Sequence, residues 1–263
     1  MMIILKGLTK EQVSEVLPEN LILLGYRGSV VHGTYIQKSD PHGVDDRDLM
    51  GVFVGKLNHY LGFDKGTHKE KFVGEWDVVS YEIRKFVSLL LKSNPNVLGL
   101  LWIPENYIVY KNEFGSRIRK ARDLFISKQV YHTFTGYAYE QLKRLTNSTF
   151  QGYMGEKRKV LVETHGYDTK NASHLIRLLR MGIEFLTDGE LHVVRQDASE
   201  LIQIKKGAYS LERIQSMSVD LFRTAQEAFK RSTLPEFPQY KQAELLVEKL
   251  ILDYYHLTQK KKT

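Results

Sequence analysis

The feature that most constrains the fold is a pair of aspartates, Asp46 and Asp48, at the start of the apolar segment 49–54. A short apolar segment of this kind predicts a buried strand. Alternate side chains of a strand share one face, so the two carboxylates would lie about 6.6 to 7 Å apart. Neighbouring carboxylates repel each other unless a cation neutralises them, and their hard oxygens suit Mg²⁺. The pair therefore predicts a metal site at the edge of a buried sheet.

A glycine-serine pair precedes these aspartates. The apolar segment 21–24 ends at Gly25, and Gly28-Ser29 follows after Tyr26 and Arg27. Gly28 would allow a tight turn and a close approach of the backbone to a ligand. Ser29 would cap a short helix whose N–H groups point at an anion such as a triphosphate. A phosphate-binding turn followed by a carboxylate pair is the layout that nucleotidyl transfer needs.

These residues resemble the active-site signature of the DNA polymerase beta superfamily of nucleotidyltransferases. The signature is carried by Gly28-Ser29, Gly33-Thr34, Asp46-x-Asp48 and Gly51-Val52-Phe53-Val54. The sequence is most similar to the predicted nucleotidyltransferases associated with RNA ligases and RNA repair, over approximately residues 20–104. The resemblance implies an α/β (α+β) fold with a small mixed sheet.

The resemblance also implies a third acidic residue on the strand beside the first two, and Asp77, in the strand-like segment 75–81, matches it. Asp46, Asp48 and Asp77 would then hold two Mg²⁺ ions, or Mn²⁺, for two-metal transfer of NMP from an NTP to a hydroxyl. Two other interpretations stay open from the residues alone. Asp77 could pair with Arg84 or Lys85, and the acidic residues at 45, 46 and 48 could simply cap and solvate a loop end.

The spacing of the signature departs from the family pattern, in which the first metal carboxylate follows the glycine-serine pair more closely. That closer position is occupied by Asp40, which is followed by Pro41 and has His42 where a second carboxylate would be needed. Proline does not suit a central strand. We therefore interpret residues 37–45 as a long surface loop and retain Asp46 and Asp48 as the metal ligands, with the contribution of Asp40 left open.

The composition excludes several kinds of site and suggests a partner. The 263 residues include no cysteine, which excludes disulfides, thiolate metal sites and cysteine nucleophiles. No apolar segment approaches the length of a membrane span, so a cytoplasmic protein without a membrane partner is expected. The net charge of +7 favours a polyanionic partner such as nucleic acid.

Long helical patterns replace the strand patterns from about residue 111, at approximately 112–126, 128–147, 171–187, 209–231 and 239–257. We therefore predict a nucleotidyltransferase domain over residues 1–110 and an all-helical domain over 111–263. A short hairpin is expected between 190–195 and 200–205. The polar segment 55–71, with His59 and His68, is expected to be an exposed loop.

Two groups of basic residues in the helical part are candidate binding residues. Asp168 or Thr169 would cap a helix on which Lys170, His174 and Arg177 share one face. The resemblance implies that this face binds the triphosphate or the acceptor. Surface charge and one core histidine would explain the same pattern. The second group mixes basic and aromatic residues, as single-stranded nucleic acid requires: Arg117, Arg119, Lys120, Arg122, Lys128, Lys143, Arg144 and 157–159, with Tyr131, Phe134, Tyr137, Tyr139, Phe150 and Tyr153. Aromatic residues at helical spacing are equally typical of a core.

The resemblance thus predicts a nucleotidyltransferase that binds an NTP, with Gly28 and Ser29 at its β- and γ-phosphates, and releases pyrophosphate. The acceptor would be RNA, such as a tRNA or a broken RNA end, or a protein. The alternatives are an antitoxin-like transferase that modifies a partner protein and a catalytically inactive module that binds nucleic acid. The sequence does not distinguish these acceptors.

Overall fold

The computed structural model describes residues 9–37, 39–40, 42–43, 47–63, 68–73, 76–146 and 156–260. The strands are β1 Leu21–Arg27, β2 Arg47–Phe53, β3 His68–Val73, β4 Trp76–Glu82 and β5 Ile108–Lys111. The helices are α1 Lys10–Val16, α2 Gly28–His32, α3 Leu57–Leu61, α4 Ile83–Leu91, α5 Pro95–Leu98, α6 Glu113–Lys120, α7 Gln129–Thr146, α8 Glu156–His165, α9 Thr169–Asp188, α10 Ala198–Lys205, α11 Leu211–Arg231 and α12 Tyr240–Lys260. Short 3-10 turns occupy Gly99–Leu101, Glu105–Tyr107 and Arg122–Phe125.

The strands form one mixed sheet in the order β3-β4-β2-β1-β5. β2 and β4 are parallel neighbours, and the other three pairs are antiparallel. Antiparallel strands can follow one another through short turns, whereas a parallel pair needs a crossover connection. In this chain α3 and the edge strand β3 lie between β2 and β4 in sequence. The predicted small mixed sheet is therefore confirmed.

Each face of the sheet is covered by a different part of the chain. One face packs on α1 through a cluster of buried apolar residues: Val13, Val16, Leu21, Leu24, Leu49, Trp76 and Val78. On the other face, the side chains of Leu100 and Ile103 come so close to Gly25 that a Cβ there would overlap them. Asp48 and Asp77 lie on this second face, because they alternate with Leu49 and Val78 along their strands.

The chain divides into two compact units. The sheet unit comprises Met1–Val31, Asp46–Ile126 and Pro238–Thr263, and the helical unit comprises His32–Asp45 and Ser127–Phe237. α12 thus belongs with the sheet, although its pattern resembles that of the preceding helices. Its contacts explain this, since Asp253 bonds Arg117 at 2.8 Å and the ring of Tyr254 packs edge-on against Phe114.

The helical unit is organised around α9, which packs against α7, α10 and α11. Asp168 caps α9 by accepting a hydrogen bond from the backbone N–H of Asn171 at 2.9 Å, which confirms the first of the two predicted caps. Gly189 ends the helix in the left-handed conformation, where glycine is favoured. Within the described ranges, no helix combines the length and the apolar character that crossing a membrane requires.

Two local predictions were wrong. The hairpin expected over 190–205 is absent, because residues 190–197 are irregular and α10 occupies most of the second predicted strand. The side chain of Arg195 binds Glu184 and Asp197, and these contacts fix the segment that leads into α10. The second error concerns the segment 55–71, predicted to be an exposed loop, which contains α3 and the first residues of β3. His59 is buried in α3, with its Nε2 3.8 Å from the buried carboxylate of Glu82. His68 is exposed, as expected.

Candidate active site

The site is centred on two carboxylates carried by adjacent parallel strands. Asp48 is the second residue of β2, and Asp77 is the second residue of β4. The two residues are directly paired in the register of the sheet. Neighbouring strands lie about 4.8 Å apart, so paired side chains on one face are close neighbours. The predicted position of Asp77, beside the Asp48 strand, is confirmed, whereas its role stays a prediction. Asp46 lies outside the described residues.

Gly28 lies directly against Asp48. It has φ +66, and a Cβ built on it would overlap Oδ2 of Asp48. Glycine is therefore required twice, for the left-handed conformation and for the space that the carboxylate occupies. α2 begins at Gly28, so Ser29 lies within the first helical turn and not at the capping position that the sequence suggested.

Arg27 completes the group, and the sequence interpretation missed it. Its guanidinium Nη2 donates to Oδ2 of Asp77 at 3.0 Å. The residue is also paired with Asp48 in the antiparallel register of β1 and β2. A positive charge beside two carboxylates relieves their mutual repulsion. The signal was present in the sequence, since alternation along β1 places Arg27 on the face of Gly25. The sequence did not show which strands lie beside β1, so the partner of Arg27 on that face was not evident.

The residues present fit a divalent cation. Mg²⁺ takes one or two protein carboxylates and completes its shell with waters and substrate phosphates. Asp48 and Asp77 supply such oxygens from adjacent strands. In the part of the chain that the structure describes, no group of three or more His, Asp or Glu side chains forms a metal site. The carboxylate of Asp46 would have to be added to reach the predicted set of three.

The helical unit contains a separate group of basic side chains. His32 is buried and faces Arg177, His174 and Arg195, whose charges act on it. Lys170 precedes His174 by four residues on the same face of α9. The structure thus brings two of the three predicted residues of this helix together with two others that the sequence did not suggest.

Arg177, Arg180 and Arg195 differ in how their charges are compensated. Arg180 binds Asp197 at 2.6 Å and Glu200 at 2.7 Å, and Arg195 binds both Glu184 and Asp197. Arg177 instead donates to the thioether sulfur of Met181 at 3.2 Å, a weak acceptor. Among the described residues no carboxylate lies within ion-pair distance of Arg177. Burial, followed by the charge of Arg195, lowers the pKa of Arg177 to about 10.

His32 is held as a neutral imidazole. Its Nδ1 lies 2.8 Å from the carbonyl oxygen of Val193, and since a carbonyl only accepts, this nitrogen carries the proton. Burial, then the charge of Arg177, hold the pKa of His32 well below its usual value of 6.5. In the neutral ring, Nε2 is therefore left as a hydrogen-bond acceptor.

Asp40, whose contribution the sequence left open, is paired within the helical unit. Its carboxylate accepts from Lys206 Nζ at 2.7 Å and lies 3.1 Å from Nδ1 of His42. The hydrogen bond from Lys206 lowers the pKa of Asp40 to about 2.

The mixed basic and aromatic residues are divided between the two units. In the helical unit, Phe134 is fully buried in the core and Tyr131 stacks on Phe229 with ring centroids 4.5 Å apart. Tyr137 and Tyr139 are exposed, and the ammonium of Lys143 lies 4.7 Å from the ring centre of Tyr139. Arg117, Arg119, Lys120 and Arg122 belong to the sheet unit. Phe150 and Tyr153 lie outside the described residues.

The sequence of residues 8–246 matches the model of the RlaP family, described as an RNA repair pathway DNA polymerase beta family. No curated protein matched the chain. Among solved structures, the chain is similar to a nucleotidyltransferase-like protein from Exiguobacterium sibiricum 255-15, with 8% identity and a TM-score of 0.28 over 92% of this chain and 72% of that one. Because the family match spans most of its length, the chain belongs to the RNA repair pathway DNA polymerase beta family of nucleotidyltransferases.

Proposed function

We propose that this protein transfers NMP from an NTP to an acceptor hydroxyl and releases pyrophosphate. The observation that supports this most directly is the register pairing of Asp48 with Asp77, with Gly28 packed against the Asp48 carboxylate. In the reaction, the acceptor oxygen forms a bond to the α-phosphorus while the bond to the pyrophosphate oxygen breaks. Positioning and charge stabilisation supply most of the catalysis in such a transfer.

The side chains divide this work in the proposed mechanism. Asp48 and Asp77, together with Asp46, would hold two Mg²⁺ ions, or Mn²⁺ in their place. These ions would neutralise the phosphates and lower the pKa of the acceptor hydroxyl. Gly28 and Ser29 would lie along the β- and γ-phosphates, where the absence of a Cβ at Gly28 leaves the backbone open to close approach. Arg27 would orient the Asp77 carboxylate through its hydrogen bond to Oδ2.

Arg177 and His174 are proposed to bind phosphate oxygens of the NTP or of the acceptor, with Lys170 as a weaker contributor. The support for this is the uneven compensation within the helical unit, where Arg180 and Arg195 each bind two carboxylates and Arg177 binds a thioether. A buried guanidinium is stabilised by an oxyanion, which it can bind through two parallel hydrogen bonds.

We propose an RNA end as the acceptor, such as that of a tRNA or of a broken RNA. The family to which the chain belongs and its net charge of +7 support this choice. The test is incubation of the purified protein with each α-labelled NTP and Mg²⁺, with a single-stranded RNA, the matched DNA or no nucleic acid.

Label that appears on the RNA and disappears in Asp48→Asn would support the proposal. Label on a co-purifying protein, with none on RNA, would replace the RNA acceptor by a protein acceptor. RNA binding without label under any condition would overturn the transferase and favour a binding module. Asp220→Asn, at an exposed carboxylate of α11, is the matched control and should leave labelling unchanged.

A further inference from the structure

A basic pocket of about 400 Å³ lies at the β5 edge of the sheet unit, away from the carboxylates. It is formed by β5, the turn before it, α6 and the turn that follows α6. Its lining residues are Leu101, Glu105, Lys111, Ser116, Arg119, Lys120, Arg122 and Asp123. Four basic side chains therefore face two acidic ones, and none of them has a role in the proposed transfer.

The basic groups of this pocket are held in place by contacts around them. Glu105 accepts from Lys111 at 2.8 Å and from Arg119 at 2.6 Å, and Arg119 also donates to the carbonyl of Ile103. Lys111 and Arg119 are the less exposed members of these pairs, whereas the Glu105 side chain is 69% exposed. The hydrogen bond from Lys111, then the charge of Arg119, lower the pKa of Glu105. The two cations thus already hold one carboxylate at the pocket, in an arrangement that suits oxyanions.

The remaining two cations extend the positive surface. The side chain of Lys120 is exposed at the end of α6. The guanidinium of Arg122 lies 5.5 Å from the ring centre of Trp102, and such a cation–π contact fixes its direction. Trp102 is buried, so its ring anchors Arg122 and does not stack on a base. The two lysines and two arginines supply positive charge of the kind that follows the backbone of a single-stranded nucleic acid.

The sheet register relates this pocket to the carboxylates. Lys111 is paired with Leu23 of β1, and Leu23 lies four residues before Arg27, which is paired with Asp48. Two strand spacings across the sheet and four residues along it place the Cα atoms of Lys111 and Asp48 roughly 16 Å apart. Leu23 and Arg27 share a face of β1, so Lys111 and Asp48 share a face of the sheet. Leu100 and Ile103 cover Gly25 on this face, so a strand of a few nucleotides would span the distance over the surface of these residues.

We propose that this basic pocket binds backbone phosphates of a single-stranded RNA whose end lies at Asp48 and Asp77. The position of the RNA end at the two carboxylates rests on the proposed transfer, whereas the binding of RNA by the pocket does not. The pocket would hold the acceptor by charge, independent of base sequence, and so would accept different RNA ends.

The test measures the affinity of a short labelled single-stranded RNA by fluorescence anisotropy at several salt concentrations, without NTP or Mg²⁺. In Lys120→Gln/Arg122→Gln, the slope of log affinity against log salt should fall by about 1.4, since each lost phosphate contact of a single strand accounts for about 0.7. Lys120→Gln alone, which leaves the Trp102 contact intact, should lower the slope by about half as much.

Lys69→Gln/Lys71→Gln is the matched control, because both lysines are exposed on β3, at the opposite edge of the sheet, and are paired with residues of the α1-facing side. Its slope should equal that of the wild type. Equal slopes in the wild type and both pocket variants, or an equal decrease in the control, would overturn the pocket. The binding assay contains neither NTP nor Mg²⁺, so a failure of the transfer chemistry would not be mistaken for a failure of this pocket.

Discussion

The guanidinium of Arg27 lies 3.0 Å from Oδ2 of Asp77, a residue fifty positions later in the chain. Between their two strands runs β2, which carries Asp48 in register with both. Arg27 therefore supplies a positive charge at the place where the proposed mechanism puts divalent cations. The guanidinium of Arg27 thus compensates part of the negative charge of Asp48 and Asp77.

Replacing this guanidinium should make the protein depend on metal for stability. In Arg27→Gln the neighbouring carboxylates lose their positive partner, so the Tm measured with a chelator should fall. Added Mg²⁺ should raise the Tm more than it does in the wild type, because binding to the folded state stabilises it. Differential scanning fluorimetry with and without Mg²⁺ measures both effects. Arg47→Gln is the control, since Arg47 lies over the ring of Trp76, on the other face of the sheet. An equal Mg²⁺ response in the two variants would count against this role of Arg27.

A methyl group at Gly28 should affect catalysis more than stability. Gly28→Ala and Gly33→Ala both place alanine at a positive φ, which costs about 1 to 2 kcal/mol of unfolding free energy. Only at Gly28 does the new Cβ overlap Asp48, whereas at Gly33 it meets the Cβ of Ala198 at an ordinary 3.5 Å. Displacing a carboxylate by such an overlap should reduce the transfer rate about a hundredfold. Urea unfolding and rate measurements on both variants test this, and equal rate losses would contradict it.

Arg177 and Arg195 of the helical unit should respond differently to the same substitution. Arg177→Met removes a cation that binds no carboxylate among the described residues, so the Tm should stay constant or rise while NTP or RNA binding weakens. Arg195→Met removes the cation bound to Glu184, while Asp197 keeps its ion pair with Arg180, and should cost about 1 to 3 kcal/mol. Thermal unfolding and a ligand titration of each variant give the comparison. A loss of stability in Arg177→Met as large as in Arg195→Met would show that its role is structural.

His32 should make the protein less stable in mild acid. Its pKa in the folded state lies below 6.5, so at lower pH the unfolded chain binds a proton that the folded chain does not. Stability then rises with pH in this window and is lost as the pH falls from about 6.5 towards the lowered pKa. Urea unfolding of wild type and His32→Asn between neutral pH and mild acid measures the slopes. The variant should have the shallower pH dependence, and an equal slope would contradict the buried neutral imidazole.

Local signals in the sequence were sufficient for most of the helices and for the central strands. The periodicity and the Asp168 cap gave α9 close to its observed bounds, and the apolar segments gave β1, β2 and β4. Two sets of side-chain contacts were missed. The pairing of Arg27 with Asp77 depends on strand order, and the contacts of Arg195 replaced an expected hairpin. β3 was also missed, because its sequence is polar. Its backbone pairing with β4 does not require alternating apolar side chains.

The most direct test of the central claim is Mg²⁺-dependent pyrophosphate release by the wild type beside Asp46→Asn, Asp48→Asn, Asp77→Asn and the control Asp220→Asn, with each NTP and with and without RNA. The proposed mechanism predicts release by the wild type and the control, stimulated by RNA, and release at background in the three site variants. Undiminished release in Asp48→Asn and Asp77→Asn would contradict a transferase centred on these two carboxylates.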